Sequence, residues 1–452
     1  MRGKLAALVC ALCLGLALCP SPCRPEEVTF DLGAAIRYAV EHNPSLRISE
    51  KGIDAGRHGV EAAKAGRFPK VDIGSGISTY RYPHPLTPIV FRSTTNPATL
   101  VSEFLNLPDF VSTIYEADAS FSLPLYQGGR ITGNIRIADT QKALAQDNYR
   151  SSRQDLVHNV TSVYHKILQL QRLLAANEAA VVQIESHRRD VEYSLQAGAV
   201  PRVDLLKTDV DLERARENLL LVKNNLASAF ELLRNLMGME DGLVTINVVA
   251  PQPSGEAYPS EEDGIRAALK KRPDYLAVSK KIAIAEDRVK VARGRRLPDV
   301  YAFGQYLRDI GNGTSLKEDW SLGLRMTVPV FDGGLIRADV ERERTELEKA
   351  RLEERALRLA IYREVRDARI TIANAVERIK VAQAAVKSAR ETVRVQRLRF
   401  QTGAGTTTEV LDANTTMLRC ESDYYQALYD REIALAGLRK SVGEDPAGAS
   451  GG

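Results

Sequence analysis

The side chains best placed to do chemistry in this 452-residue sequence are a pair of carboxylates and a few histidines, and neither set has the arrangement an enzyme needs. Glu409 and Asp412 stand three residues apart at the start of a helical stretch, just after the turn Gly403-Ala404-Gly405-Thr406. There negative charge complements the partial positive charge of a helix N-terminus, which is a sufficient reason for both. His158 and His165 are a heptad apart on one helical face, too distant and too few for a metal site. The sequence has no zinc-binding His-Glu pair motif, no phosphate loop ending in Gly-Lys and no nucleophile elbow. The glycine pairs Gly128-Gly129 and Gly333-Gly334 recur where a strand gives way to a helix, and turn geometry accounts for them without a phosphate. The expectation is therefore a protein that is not an enzyme, with no cofactor and no metal.

Cysteine usage points to export. Arg2 and Lys4 precede an apolar run from Leu5 to Leu18, the pattern of a signal peptide over residues 1–23. Cys10, Cys13, Cys19 and Cys23 fall in or just after it, which leaves Cys420 alone and precludes a disulfide framework. Cys19 and Cys23 are candidate lipidation sites, although Leu18 and Pro22 precede them where a small residue is usual. The alternative is an ordinary signal cut between Cys19 and Arg24. With 62 basic against 58 acidic side chains, the chain offers no dedicated surface for nucleic acid.

The elements that position these residues are written twice. Leu123-Pro124-Leu125-Tyr126-Gln127-Gly128-Gly129 matches Val328-Pro329-Val330-Phe331-Asp332-Gly333-Gly334, 205 positions later. The same offset brings Gln196-Ala197-Gly198 onto Gln401-Thr402-Gly403 and Leu233-Arg234 onto Leu438-Arg439. Upstream, Asn43-Pro44 pairs with Arg272-Pro273 at an offset of 229, so the first copy carries an insertion, placed in the proline-rich segment from Pro83 to Phe110. A period this long marks a duplicated domain rather than a solenoid. The first copy is assigned to residues 24–240 and the second to 260–443, with an inter-repeat linker or equatorial segment over 241–259 and a flexible C-terminal tail over 444–452.

Each copy reads as short helix, second helix, strand, strand, long helical hairpin. Alternation of apolar and polar residues predicts strands at 71–80, 116–125, 299–308 and 319–330. In the first, Val71, Ile73 and Ile77 share one face; in the second, Ala117, Ala119, Phe121, Leu123 and Leu125 do; in the last, Leu322, Leu324, Met326, Val328 and Val330. After each glycine pair the period becomes that of a helix. Leu156, Val160, Val163, Ile167, Leu170 and Leu174 form a heptad seam, repeated by Ile361, Val365, Ala368, Ile372, Ala375 and Ile379. Hairpins are expected over 128–237 and 333–442, each opening with a rod of roughly 65 to 70 residues, about 100 Å long.

Beyond the N-terminal signal, no window holds the ~18 apolar residues of a transmembrane helix, so membrane contact has to come from strands. Closed membrane barrels need about eight strands or more, and this chain supplies four, so closure requires several copies. Strand counting allows two or three. Three readings follow: an export duct, a surface adhesin or structural spacer on the same scaffold, and a soluble coiled coil capped by a small sheet.

The duplicated plan, with proline at the strand exit and Gly-Gly opening the long helix, resembles the TolC-like outer-membrane efflux proteins over essentially the whole mature chain. The segment Gly403-Ala404-Gly405-Thr406-Thr407-Thr408-Glu409-Val410-Leu411-Asp412-Ala413-Asn414-Thr415 is similar to that family's second hairpin turn and the start of its last long helix. The resemblance implies a mainly α fold with a membrane β-barrel, in which a homotrimer forms twelve strands and a helical tunnel. It implies an exit duct of a tripartite efflux pump or type I secretion system, set in outer-membrane lipid and partnered by a periplasmic adaptor and an inner-membrane pump. It also implies that Glu409 and Asp412 ring the periplasmic entrance, where the family has two aspartates. By the same resemblance, the tips Gly198, Ala199, Val200, Pro201, Gly403, Ala404, Gly405 and Thr406 contact the adaptor.

Overall fold

The computed structural model describes residues 27–82, 91–92, 100–101, 110–240, 245–250, 259–311 and 314–444. The expected signal with Cys19 and Cys23, most of the proline-rich insertion, the turn at Asn312-Gly313 and the tail beyond Glu444 lie outside the described residues. The fold is mainly helical. The first copy comprises β1 (Glu27–Phe30), α1 (Leu32–His42), α2 (Pro44–Ala65), β2 (Lys70–Tyr82), the two-residue pair β3 (Phe91–Arg92) and β4 (Leu100–Val101), β5 (Phe110–Gln127), α3 (Arg130–Gln196) and α4 (Arg202–Met237). Then come β6 (Thr245–Val248), α5 (Glu261–Lys271), α6 (Pro273–Gly294), β7 (Asp299–Gly311), β8 (Thr314–Thr327), α7 (Leu335–Gln401) and α8 (Thr407–Ser441). No helix among the described residues is long and apolar enough to cross a membrane.

One element is added and two expectations are corrected. Within 241–259, residues Thr245–Val248 form β6, a parallel partner of β1 in the register Glu27 to Thr245 and Phe30 to Val248. The strand expected over 319–330 ends at Thr327, so Val328 and Val330 lie beyond it. In β5, Pro124 pairs with Tyr301 and Tyr126 with Val300, so Leu125 is the extra residue of a bulge and Tyr126 takes the next place in its ladder.

The chain divides into two compact units that cut across the repeats: residues 1–51, 147–276 and 355–452 in one, 52–146 and 277–354 in the other. The second contains the antiparallel sheet, in the order β2-β5-β7-β8. Its register aligns Val71, Phe121, Gly304 and Leu322 in one row and Asp72, Ser120, Gln305 and Ser321 in the next, so alternation along the chain becomes an apolar and a polar face. The apolar face is uncovered within the chain: Ile73 is 86% exposed, Trp320 77% and Leu324 72%.

The first unit holds the packed helical cores, and the duplication is visible in them residue by residue. Leu156, Val160, Ile167, Leu233 and Met237 belong to one cluster; their counterparts 205 positions on, Ile361, Val365, Ile372, Leu438 and Val442, belong to a second. Tyr164, fully buried in the first cluster, joins it to the β1–β6 ladder. Its hydroxyl lies 2.9 Å from the Phe30 carbonyl and 2.7 Å from that of Val249, and accepts the Val249 N–H at 3.0 Å.

The bend between the short helices is anchored alike in both copies. Asn43 Nδ2 donates to the Leu236 carbonyl at 2.8 Å, and Arg272, at the equivalent bend, donates to the equivalent carbonyl of Ser441 at 3.3 Å. The hairpins then end on glycines with left-handed backbone, Gly238 at φ 71° and Gly443 at φ 80°, each followed by an N–H that reaches back to close the helix (Met239 to Arg234, 3.0 Å; Glu444 to Arg439, 2.8 Å). A Cβ on Gly443 would stand 2.8 Å from the Arg272 nitrogen, whereas Gly198 has the same backbone with open space around it. Gly198→Ala should therefore cost about 1 kcal/mol, for the left-handed conformation alone. Gly443→Ala should cost at least about 2 kcal/mol, because the bend must also give way. Thermal unfolding followed by helical circular dichroism compares the two, and equal costs would contradict the close approach.

Candidate functional site at the hairpin tips

Both tips are built on the same turn. α3 closes with the Ala199 N–H on the Ser194 carbonyl (2.8 Å) and α7 with the Ala404 N–H on the Arg399 carbonyl (2.8 Å), around Gly198 at φ 71° and Gly403 at φ 74°. Beneath them lies one small core. Val191 of α3, Phe400 of α7 and Val410 of α8 are buried together, with Val200 and Leu205 of the first tip packed on them. The two tips are thus held by shared apolar contacts within one unit.

The sequence places Glu409 and Asp412 side by side, but the structure gives them different tasks. Thr406 and Glu409 form a reciprocal cap: the Glu409 N–H donates to Thr406 Oγ1 at 3.3 Å, and Glu409 Oε2 accepts the Thr406 N–H at 3.0 Å. The Thr-x-x-Glu spacing carries this signal, and it was legible in the sequence. Glu409 Oε1 also lies 3.8 Å from Arg399. Asp412, one turn further, is exposed and makes no ion pair among the described residues.

The first copy shows what the second lacks. Asp204 and Lys207 stand 205 positions before Glu409 and Asp412 and lie 3.8 Å apart, an acid offset by a base. Only the second tip carries two carboxylates at these places. The tip residues Gly198, Ala199, Val200 and Pro201, and Gly403, Ala404, Gly405 and Thr406, all lie at turns; Pro201 precedes α4 without a side-chain cap, unlike Thr406 before α8. His165 is buried at 4% exposure beside the Tyr429 ring, and the His158 Nδ1 is also buried. No group of three or more His, Cys, Asp or Glu side chains able to hold a metal occurs among the described residues.

A duplicated pair of long helical hairpins with a four-stranded, apolar-faced sheet is the fold of outer-membrane channels. A membrane protein of Pseudomonas aeruginosa superposes with a TM-score of 0.79 over 95% of this chain and 94% of its own, at 22% identity. The CmeC outer membrane channel of Campylobacter jejuni does so at 0.77 over 91% and 85%, at 17% identity. In sequence, outer membrane protein OprJ of Pseudomonas aeruginosa is 24% identical over 92% of this chain and 84% of its own length. The outer membrane efflux protein BepC of Brucella suis is 23% identical over 71% and 70%. The profile of the family described as outer membrane efflux protein matches residues 35–239 and 264–444, one segment per copy. The chain belongs to the outer membrane efflux protein family, and its place is the outer membrane. The adhesin or spacer reading finds no support among these relatives, and outer-membrane residence overturns the soluble coiled coil.

Proposed function

We propose that three copies of this chain close a twelve-stranded barrel and a helical tunnel that conduct cargo outward, as the exit duct of a tripartite efflux pump or type I secretion system. The tips at Gly198–Pro201 and Gly403–Thr406 dock a periplasmic adaptor coupled to an inner-membrane pump, and Glu409 and Asp412 line the entrance, Asp412 carrying most of the field. The supporting observation is an unmet half of a repeated joint. Within the chain, β5 of the first copy pairs with β7 of the second. The equivalent joint, β8 of the second copy with β2 of a first, has both its strands at open edges. An edge exposed to lipid would leave backbone groups unsatisfied. The turns agree: a Cβ on Gly128 would meet the Gly294 carbonyl oxygen at 2.2 Å, while the equivalent Gly333 has nothing within 4 Å. A head-to-tail joint of this kind forms a ring when its rotation closes, and a barrel in lipid requires that closure.

The repeat offsets also give the register expected of the joint between copies. Ala119 pairs with Tyr306, which translates to Leu324 of one copy facing Ile77 of the next. Leu324→Cys with Ile77→Cys, in a Cys420→Ser background, should cross-link outer-membrane protein into a ladder ending at three chains on a non-reducing gel. Leu324→Cys with Ile73→Cys, four residues out of register, should not. A ladder ending at two chains, or none, would overturn the trimer.

A further inference from the structure

Three histidines of α3 have buried ring nitrogens without hydrogen-bond partners: Nδ1 of His158 and of His165, and both nitrogens of His187. Their counterparts 205 positions on are Arg363, Ile370 and Thr392, so only the first copy has them. His187 is the deepest, 1% exposed, with its ring edge-on to Phe400 at 4.8 Å between centroids. Phe400 belongs to the small core that holds the two tips together.

A neutral imidazole here serves as an aromatic filler. A protonated one would carry a charge and two N–H donors into a site that satisfies neither. The groups facing it do not change this. On its own helix Asp190 is the nearby carboxylate, but it lies 3.5 Å from Arg397 of α7, which also donates to Ser186 Oγ at 2.6 Å. On α8 the Thr407 backbone faces the ring without completing a hydrogen bond, and Thr407 Oγ1 is itself buried and unpartnered. Glu409 is engaged by its cap and by Arg399.

We propose that His187 is an acid-sensitive latch between the tips: neutral, it holds the α7–α8 turn on α3, and protonated, it leaves the core and releases that turn. Burial pushes the imidazole pKa below its ordinary value; Asp190 and the Thr407 backbone oppose this, and Arg397 adds to it. A released ring in water titrates near ~6.5, above the packed ring. The packed state is therefore at full strength well above that value and weakens as the pH falls through and below it, at a slope that approaches about tenfold per pH unit until the packed ring is itself protonated.

Hydrogen exchange of the full-length protein in detergent tests this on the amides of residues 398–411, corrected for intrinsic pH dependence, from about pH 8 to about pH 5, above the ordinary carboxylate range. The wild type should show an opening equilibrium that rises, by at most about fivefold, between pH ~6.5 and ~5.5. His187→Phe and His187→Gln should give flat profiles; a variant that is looser at every pH still supports the latch if its profile is flat. The same acid rise in both variants overturns it. The latch does not rest on the duct reading, because exchange at the tips is measured without conduction.

Discussion

Arg272→Ala should destabilise the helical unit by about 3 kcal/mol, the low end of the range for breaking a buried ion pair. The guanidinium is 9% exposed and bridges Asp274 at 2.7 Å and Glu364 at 2.6 Å, while donating to the Ser441 carbonyl at the end of α8. Its removal strands two carboxylates and one carbonyl together. The low end applies because the carboxylates retain 34% and 43% exposure and are partly solvated. Arg272→Lys should recover less than half of the loss, since an ammonium cannot span both carboxylates in the planar geometry. Burial raises the Asp274 pKa, but the Arg272 guanidinium more than reverses this and leaves it below its ordinary value. The stability it contributes is present above the ordinary carboxylate range and is lost as the pH falls through the lowered pKa. In Arg272→Ala the lowering by the guanidinium is gone while the Tyr275 and Asp274 backbone N–H groups still act on the carboxylate, so the acid loss of stability tied to Asp274 should shrink and the gap between wild type and variant should narrow as the pH falls. Urea titration of detergent-solubilised protein, repeated across acid pH, reads both effects. A loss under about 1 kcal/mol would reduce the network to an exposed surface pair.

Glu409→Lys with Asp412→Lys should abolish the cation preference of the channel in planar bilayers. Three copies on a threefold axis would present six carboxylates at the entrance, and a ring of that sign favours cations through its local potential. The single changes should be unequal. Asp412→Asn removes an exposed charge with no ion partner and should lower the cation-to-anion permeability ratio several-fold. Glu409→Gln removes one already opposed by Arg399 and should change it less, while loosening the cap of α8. Reversal potentials in a salt gradient give the ratio. A double-lysine channel that still conducts with unchanged preference would remove both residues from the entrance.

Much of the architecture was legible because it is local or repeated. Strand alternation, helix period and the glycine turns each lie within a short window, and the offset of 205 links five buried residues of one core to five of the other. Features set by non-local pairing were not. β1 and β6 are four-residue strands, too short for a periodic signal, and they meet only because Tyr164 and the surrounding core bring them together. The bulge at Leu125 was hidden because alternation continues in the sequence after the ladder has shifted.

The sequence by itself determined the duplication, the order of the helices and of the four long strands, and the two tips with their acidic residues, since each follows from spacing along the chain. Tertiary structure decided which contacts those residues make. It divided the chain into units that cross the repeats, set Arg399 against Glu409 while leaving Asp412 in solvent, and enclosed His187 without a hydrogen-bond partner. The physical reason is that charge, solvation and hydrogen bonding depend on neighbours in space, and for His187 the ring packed against it, that of Phe400, comes from a helix more than two hundred residues further along the chain.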